Sequence, residues 1–190
     1  MRKQFAKTLL GLGGDEQIVV LIGDISHYLL KDFESAYPDR FYNLGIAEQG
    51  MVGFAAGLAM KGFYPVVHSI APFVTERCFE QIKNDLCYQK LGVNIVSVGS
   101  AFDYAALGCT HHCYDDIGIL RTLPNMQIIY PASPREFDIL FREVYNSGNP
   151  TYFRLPAGTH CLETHPRFGE VERLREGGDV TIVAAGPQIQ

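Results

Sequence analysis

Short apolar runs of strand length alternate with segments of helical periodicity along this chain. A continuous apolar run suits a strand that is buried on both faces, whereas apolar residues at i, i+3, i+4 and i+7 mark one face of a helix. That spacing occurs at Met51, Phe54, Ala55 and Leu58. The predicted strands cover residues 17–22, 41–44, 64–67, 93–98, 126–130 and 151–155. The alternation predicts an α/β fold: a doubly wound, mostly parallel sheet with helices on both faces.

The same pattern predicts three parts of the chain. Residues 1–155 contain all six predicted strands and form the main domain. Residues 156–178 are rich in Pro, Gly, Glu and Arg, which is typical of a connector. Residues 179–190 open with a fresh apolar run and are predicted to start a truncated C-terminal domain with a buried strand.

One helix start is marked by its capping residues. Ser133 is followed by Pro134 and then by Glu136, which gives an N-cap, a proline at the first helical position and a capping-box acid. The helix is predicted to end near residue 146, where an Asn-Ser-Gly-Asn-Pro stretch follows.

Composition excludes several classes of protein. Of the 190 residues, 47% are hydrophobic, which is too many for a disordered chain. The 16 Lys and Arg against 21 Asp and Glu give a net charge of −5 with no basic run, so nucleic acid is not predicted as a partner. The apolar runs are too short to span a bilayer, and a membrane is not predicted either. Five scattered cysteines favour the reducing cytoplasm.

The first segment that could carry chemistry is 45–49, where a strand leads into a helix. Glu48 stands at the helix start, where the dipole favours a carboxylate, so it is either a simple cap or a functional acid. The helix also carries Gly50, Gly53 and Gly57. Each glycine costs about 1 kcal/mol relative to alanine in a helix. Such a face of small residues predicts close approach of another backbone, as in a homodimer formed through this helix.

Two further segments follow predicted strands, at the edge of a parallel sheet where ligands bind. His68 and then Phe73 follow the third strand; the aromatic ring either stacks on a planar ligand or packs beneath the loop. A later loop that begins at a glycine carries His111 and His112. Histidines there suit hydrogen bonding to a substrate and proton transfer.

Cysteines flank these two histidines, at positions 109 and 113. Cysteine and histidine together are typical zinc ligands, but adjacent histidines diverge and the sequence has no second Cys/His cluster nearby. No metal site is therefore predicted in this chain. The sequence also lacks a Gly-x-Gly-x-x-Gly stretch after the first strand and a Walker loop, so it gives little support to nucleotide binding.

Taken together, residues 2–155 resemble the pyrimidine-binding domain of thiamine-diphosphate enzymes, specifically the transketolase family. Segment 45–49 (Gly-Ile-Ala-Glu-Gln) is similar to the motif with the cofactor-activating glutamate. Segment 69–73 is similar to the stretch whose phenylalanine stacks on the aminopyrimidine ring. Segment 110–126 resembles the substrate-histidine loop and the helix behind it. The paired histidines look most like the C-terminal-section subunit of a split transketolase.

The resemblance implies a role for each matching residue. Glu48 would hydrogen-bond the pyrimidine N1′ and exchange a proton with it, and His111 would be the second catalytic residue. The cofactor-binding residues implied are Phe73, Ile70, Gly45, Ile46 and Asp24. The substrate-binding residues implied are His112, His68 and Arg154.

The resemblance also implies that half of the site lies elsewhere. The family holds the cofactor diphosphate through Mg²⁺ on a Gly-Asp-Gly…Asn motif in a different domain, and this sequence has no such motif. An N-terminal-section subunit is therefore implied as the partner that holds the diphosphate and Mg²⁺. Leu107 stands where the family usually has an aspartate that reads a ketose hydroxyl, and Ala157 where an arginine usually grips a phosphate. These departures leave open which sugars, or sugar phosphates, are the substrates.

The function predicted from the resemblance is transfer of a two-carbon ketol unit between sugars, by a subunit that is active only with its partner. The alternatives are a beta-type subunit of a 2-oxoacid dehydrogenase, a deoxyxylulose-phosphate synthase relative, and a non-catalytic assembly subunit. The Thr-His-His sequence at 110–112 favours transketolase over the dehydrogenase. Glu48 argues against a purely structural role, because a simple helix start needs no buried acid.

Overall fold

Six parallel strands form the centre of the fold, in the spatial order β2-β1-β3-β4-β6-β5. The computed structural model describes residues 1–189. The strands are β1 (Ile18–Ile22), β2 (Phe41–Asn43), β3 (Tyr64–Ile70), β4 (Asn94–Val98), β5 (Gln127–Ile129) and β6 (Thr151–Leu155). The parallel pairing confirms the predicted fold class.

Helices connect the strands. The α-helices are α1 (Arg2–Leu12), α2 (His27–Ala36), α3 (Glu48–Ala59), α4 (Ala71–Val74), α5 (Phe79–Gln81), α6 (Asp116–Leu120) and α7 (Pro134–Val144). A π-helix, Ile82–Tyr88, continues α5. Short 3₁₀ turns cover Pro38–Arg40, Ala105–Leu107, Cys109–His111 and Gly186–Ile189. At least one helical segment therefore comes after each strand from β1 to β5, as the crossover between parallel strands requires.

Apolar side chains cover both faces of the sheet. On one face, Phe5 of α1, Phe33 of α2 and Phe141 of α7 pack against the strands. On the other face, Met51 of α3 and Leu86 of the π-helix do so. Burial on both faces explains why the strands are continuous apolar runs rather than alternating ones, and it confirms the predicted two helical layers.

The observed strand bounds match the predicted ones within a few residues, with the largest difference at β3. The apolar pattern predicts a strand over residues 64–67, whereas β3 continues to Ile70. The pattern ends early because His68 and Ser69 are polar, yet both are fully buried inside the sheet. His68 stands opposite Ile22 of β1 and Val96 of β4. A buried polar strand end is not visible to hydrophobic periodicity.

The capping residues predicted for α7 act as expected at the N-cap. The backbone N–H of Glu136 donates to Ser133 Oγ at 3.2 Å. Glu136 Oε2 accepts the N–H of Ala132 at 2.7 Å, one residue before the N-cap. The helix ends at Val144, two residues before the predicted end.

The predicted connector, residues 156–178, is docked near its start by the same carboxylate of α7. Thr164 Oγ1 donates to Glu136 Oε1 at 2.6 Å. His160 Nε2 lies 3.3 Å from that oxygen, and both His160 and Thr164 are buried. This part of the connector therefore packs on the domain, while residues 170–180 are exposed.

The buried strand predicted over residues 179–186 is wrong for this structure. Residues 179–185 pair with no strand, and Val180, Ile182 and Val183 are 75%, 85% and 80% exposed. A strand of this apolar character is buried only when neighbouring strands and a second layer cover it. Nothing among residues 1–189 covers it. The division into domains stays a prediction.

The helices are short relative to the thickness of a bilayer. Within residues 1–189, no helix has both the length and the apolar composition that a bilayer crossing requires.

We predict that Gly92→Ala destabilises the chain by about 1–3 kcal/mol, because an added methyl group overpacks the site. A Cβ at position 92 would lie 2.8 Å from the Cα of Gly148 and 3.1 Å from its carbonyl carbon. The measurement is the free energy of unfolding in urea. Gly118→Ala in α6 is the control, since a Cβ there meets no atom within 4 Å among the described residues. A Gly92→Ala variant as stable as this control would contradict the prediction.

Candidate functional site

The candidate site lies where the order of the strands reverses. β1 and β3 are neighbours, whereas β2, which lies between them in the chain, is on the far side of β1. Ligands bind at such switch points, outside the carboxyl ends of the strands. A Cβ at Gly23 would lie 3.2 Å from Glu48 Oε1, 3.3 Å from Ser69 Oγ and 3.4 Å from the carbonyl oxygen of Gly45. The loops that follow β1 and β2, the start of α3 and the end of β3 therefore meet here.

Glu48 is the first residue of α3 and its carboxylate is buried, with 1% of the side chain exposed. Ser69 Oγ donates to Oε1 at 2.9 Å, and Arg77 Nη1 donates to Oε2 at 2.7 Å. A buried carboxylate is tolerated when it is paired and hydrogen-bonded. The Arg77 side chain is 39% exposed, so one partner of the acid can move into solvent.

Phe73 contacts both Arg77, the partner of Glu48, and the loop that carries His111 and His112 (the histidine loop). The guanidinium carbon of Arg77 lies 4.3 Å from the centroid of the Phe73 ring. Phe73 also contacts His111, with ring centroids 5.2 Å apart at 69°. Three residues that the sequence separates by up to 63 positions, Glu48, Phe73 and His111, are thus brought into one cluster.

The other residues predicted to bind the cofactor divide into two groups. Gly45 has φ +67, a left-handed conformation that favours glycine, and Ile46 is 78% exposed. Asp24 is exposed and exchanges hydrogen bonds with Asn43, through its backbone N–H and its Oδ1, both at 3.1 Å. Ile70, in contrast, is only 8% exposed and packs in the core. Gly45, Ile46 and Asp24 therefore lie at the solvent-accessible carboxyl edge of the sheet (the open edge), whereas Ile70 packs in the core beneath that edge.

The two predicted histidines of the loop point to different neighbours. His111 contacts Phe73, whereas His112 contacts Phe102, with ring centroids 5.0 Å apart. Both side chains are half-buried. Their divergence is the behaviour expected of adjacent residues, and it leaves His111 as the one that faces the cluster around Glu48.

A cavity of about 220 Å³ lies beside this loop, at the carboxyl ends of β4 and β6. Arg2, Asp103, Tyr104 and Ala157 are among its lining residues. Asp103 Oδ2 accepts the backbone N–H of Ala157 at 3.1 Å. The position where the family usually has a phosphate-gripping arginine therefore carries an alanine whose backbone N–H is bound by a carboxylate, and Arg2 supplies a positive charge in the same cavity. Leu107 is 58% exposed on the loop nearby.

Two residues predicted to bind substrate are instead buried, and both assignments are corrected. His68 is fully buried; its Nδ1–H donates to Val96 O at 2.8 Å, and its Nε2 accepts from Ser26 Oγ at 3.0 Å. Arg154 is 6% exposed, and its Nε donates to Asp116 Oδ2 at 2.8 Å. Both side chains already have hydrogen-bond partners within the chain, so neither is free to contact a substrate.

The cysteines do not gather around the histidines. Cys109 is exposed, whereas Cys113 is buried and its sulfur lies 3.6 Å from Thr75 Oγ1. Ligand atoms of Glu76, Cys113 and Asp115 lie within 4.8 Å of one another. Burial raises the pKa of the Cys113 thiol far above its usual range, which opposes the thiolate form that binds metals.

Several residues of the site carry no clear signal in the sequence. Ser69 and Arg77 follow Glu48 by 21 and 29 residues, so no local pattern in the sequence predicts that they bind its carboxylate. Asp116 and Tyr152, which form a buried hydrogen bond of 2.6 Å, are 36 residues apart. No local pattern relates two such residues, because the sheet and α6 bring them together.

The geometry can be compared with known proteins. A sequence profile described as "Transketolase, pyrimidine binding domain" matches residues 1–160. The chain belongs to the transketolase family. The resemblance found in the motifs is thereby confirmed, and the cluster of Glu48, Phe73 and His111 lies in the pyrimidine-binding domain of that family.

Individual members of the transketolase family are similar over nearly the whole chain. An apulose-4-phosphate transketolase subunit of Actinobacillus succinogenes is 38% identical over 181 residues, which are 93% of this chain and 58% of that protein. The 1-deoxy-D-xylulose-5-phosphate synthase of Clostridium beijerinckii is 33% identical over 195 residues, 99% of this chain and 31% of the synthase. The chain therefore spans less than two thirds of the length of these relatives.

A solved structure of a transketolase is similar to this chain in both sequence and fold. The beta4 tetramer of a split-gene transketolase, described as inactive, is 35% identical, with a TM-score of 0.75 over 87% of this chain and 54% of that chain. A chain of a split-gene transketolase therefore shares this fold. Together these likenesses support the prediction of a transketolase-like subunit.

The residues present fit one half of thiamine diphosphate. A buried carboxylate at an open edge and a half-buried aromatic ring offer a hydrogen-bond acceptor and a flat apolar face, as an aminopyrimidine requires. A side chain at position 23 would crowd the Glu48 carboxylate, because its Cβ would lie 3.2 Å from Oε1. These residues would hold the pyrimidine.

We predict that His68 makes the chain less stable in acid. Burial lowers the pKa of His68 to about 4, opposed by its hydrogen bond to Val96 and assisted by the charge of Arg2. The pKa of His68 is lower in the folded state than the 6.5 of the unfolded state, so the unfolded state takes up a proton first as the pH falls. The contribution of neutral His68 to the free energy of unfolding is therefore complete above pH 6.5 and is lost as the pH falls towards 4. The loss is on the order of 3 kcal/mol.

The measurement is the free energy of unfolding between pH 7 and pH 4. His68→Gln removes the titrating ring, so its stability should fall less steeply over this window than that of the wild type. His165→Gln, at an exposed histidine, should keep the wild-type slope. Equal slopes for His68→Gln and the wild type would overturn the prediction.

Proposed function

We propose that this chain is the pyrimidine-binding subunit of a thiamine-diphosphate-dependent transketolase that moves a two-carbon ketol unit between sugars. The observation that carries the proposal is the buried Glu48 carboxylate at the switch point, linked through Arg77 to Phe73 and onward to His111. A buried acid at an open sheet edge is costly for stability, which favours a chemical role over simple capping.

In this proposal Glu48 moves a proton at the pyrimidine N1′. Ser69 holds Oε1 and Arg77 holds Oε2, so the carboxylate is fixed in orientation before the cofactor is present. Thiamine diphosphate, when bound, supplies the electron sink for carbon–carbon bond cleavage. The low exposure of Glu48 keeps bulk water away from the exchanged proton.

Phe73 and the histidine loop complete the proposed roles. Phe73 would stack on the pyrimidine, and Gly45, Ile46 and Asp24 would line the same edge. His111 would donate a hydrogen bond to the substrate oxygen on which charge develops, with His112 beside it. Since Asp103 stands next to Ala157, we propose that any substrate phosphate is held on the Arg2 side of the cavity.

The second half of the active site is proposed to come from a partner subunit that holds the diphosphate and Mg²⁺. Two observations support a partner: the apulose-4-phosphate transketolase relative is itself named as a subunit, and the split-gene beta4 tetramer is described as inactive. The exposed apolar run over residues 179–185 supports a further domain that would cover it. The five free cysteines support a cytoplasmic location.

A second candidate function is that of a deoxyxylulose-phosphate synthase. It is favoured by the 33% identity to such a synthase. Formation of 1-deoxy-D-xylulose 5-phosphate by the reconstituted enzyme would select this alternative, and decarboxylation of a 2-oxoacid without ketol transfer would select a dehydrogenase subunit. Transfer of a two-carbon unit between sugars selects the transketolase.

We predict that the chain alone binds thiamine diphosphate weakly, and that adding its diphosphate-binding partner produces ketol transfer. Glu48→Ala in the complex should lower kcat by about 100-fold or more at saturating cofactor, because proton transfer by a positioned side chain contributes about 10²–10⁴. The measurement is product formation, by mass spectrometry, from ketose phosphates and aldoses.

The matched control is Glu16→Ala, at an exposed acid before β1, at the opposite edge of the sheet. It should leave kcat unchanged. Glu48→Ala retaining kcat within tenfold of the wild type would remove the proposed role of this carboxylate.

We also propose that α3 forms a homodimer interface. A Cβ at Gly50, Gly53 or Gly57 meets no atom within 4 Å among residues 1–189, so the packing of this chain does not require these glycines. On the same helix Phe54 is 43% exposed, and Met60, which follows its last residue, is 64% exposed. Small residues that let a second backbone approach, beside exposed apolar side chains, are typical of an interface.

We predict that Gly53→Leu weakens self-association at least tenfold without lowering the stability of the monomer. The added side chain would stand between the two helices, whereas in the single chain it meets open space. The measurement is the dimer dissociation constant by analytical ultracentrifugation. Ser35→Leu, at an exposed position of α2, is the control and should leave association unchanged. Wild-type association of Gly53→Leu would exclude this face as the interface.

A further inference from the structure

A buried polar network lies behind the histidine loop and does not reach the open edge. Asp116, Tyr152 and Arg154 are all at most 6% exposed. Asp116 Oδ2 accepts from Tyr152 OH at 2.6 Å and from Arg154 Nε at 2.8 Å. Tyr152 and Arg154 are two residues apart on β6, so both side chains point to the face on which α6 packs.

A side-chain hydrogen bond from Arg154 attaches the network to the loop. Arg154 Nη2 lies 3.4 Å from the carbonyl oxygen of Cys113, to which it donates. The same carbonyl accepts the N–H of Ala101 at 2.7 Å, and the N–H of Cys113 donates to Ala101 O at 2.9 Å. Cys113 is two residues after His111, and Asp116 begins α6. The loop is therefore pinned just after His111 by backbone bonds and by an arginine of the central sheet.

Stability alone does not account for this network. Replacing a buried ion pair by apolar side chains of similar volume is often neutral or stabilising. Asp116 also leaves Oδ1 buried with no hydrogen-bond partner among the residues that the structure describes, which is a cost. Burial and the charge of Asp116 raise the pKa of Tyr152 well above its ordinary value, so the phenol stays protonated and donates. Such networks fix one geometry.

We propose that Asp116, Tyr152 and Arg154 are positioning residues that hold the loop carrying His111 against Phe73. This inference rests on the proposed function for its catalytic consequence, although its structural part does not. His111 contacts Phe73 at 5.2 Å and Tyr104 at 6.5 Å between ring centroids. A displacement of about 1 Å at a catalytic group can cost about 10²-fold in rate.

The structural part is tested on the chain alone by hydrogen–deuterium exchange. Asp116→Asn should make the amides of Ala101 and Cys113 exchange at least tenfold faster, while those of β1 and β3 keep their protection. Uniform acceleration across the chain would mean a general loss of stability and would overturn the proposal, as would unchanged exchange in the loop. Glu136→Gln is the matched control, since Glu136 is a buried carboxylate of α7 and should leave the loop amides unchanged.

A second variant covers the case in which Asp116→Asn unfolds because Arg154 is left without its counter-charge. Asp116→Asn combined with Arg154→Met removes both charges and keeps the volume close to that of the wild type, so it should fold. Its loop amides should exchange at least tenfold faster. Wild-type protection of the loop in this folded variant would overturn the proposal.

The catalytic part is tested with the complete complex by a double-mutant cycle. Tyr152→Phe and Asp116→Asn should each lower kcat by about tenfold or more in the wild-type background, with cofactor affinity unchanged. In a His111→Ala background they should lower the residual rate by less than twofold, because they act through His111. Equal effects in both backgrounds would overturn the positioning role. Loop protection lost as expected in a complex that transfers no ketol unit would instead refute the proposed function alone.

Discussion

Parallel pairing is the constraint on which the rest of this structure depends. A parallel strand can follow its neighbour only by way of a crossover, so all strands end at one edge of the sheet. The chain runs from β1 outward to β2 and then returns to β3 on the other side of β1. That reversal separates the loops after β1 and β3 and opens the place where Glu48 lies. The site is therefore a consequence of strand order before it is a consequence of any single side chain.

Two buried carboxylates differ in their surroundings: Glu48 lies at that edge, whereas Asp116 lies behind the histidine loop. Glu48 has one partner that is fully enclosed, Ser69, and one that is partly in solvent, Arg77. Asp116 has both partners buried. An acid whose counter-charge can move is able to exchange a partner for a ligand, whereas an acid enclosed on all sides holds its neighbours in place. The difference in exposure between Arg77 and Arg154 therefore distinguishes the proposed chemical site from its proposed support.

The sheet and the helix layers were predictable because apolar periodicity reports burial on one or both faces. The positions after strand ends make Glu48, Phe73 and His111 candidates, but only the family motifs assign them to one cofactor site, since periodicity gives no reason for residues 63 positions apart to meet. Neither apolar periodicity nor the family motifs predict that His68 and Arg154 are buried. Each is a polar residue in a strand, where a position at the sheet edge and one inside the sheet look the same in sequence. Only the packing of β4 and α6 decides that they are buried.

The surfaces that this chain leaves uncovered complete the argument. The glycines of α3 have open space where a side chain would stand, and the apolar side chains of Val180, Ile182 and Val183 lie in solvent. Both features lower the stability of the chain taken alone. A glycine in a helix is less stabilising than alanine, and an exposed apolar side chain lacks the stabilisation that burial provides. Glu48, the proposed catalytic acid, lies on α3, two residues before Gly50 and five before Gly53. An interface on that helix would thus fix the acid as well as join two chains, so in the proposed assembly one helix would serve both association and chemistry.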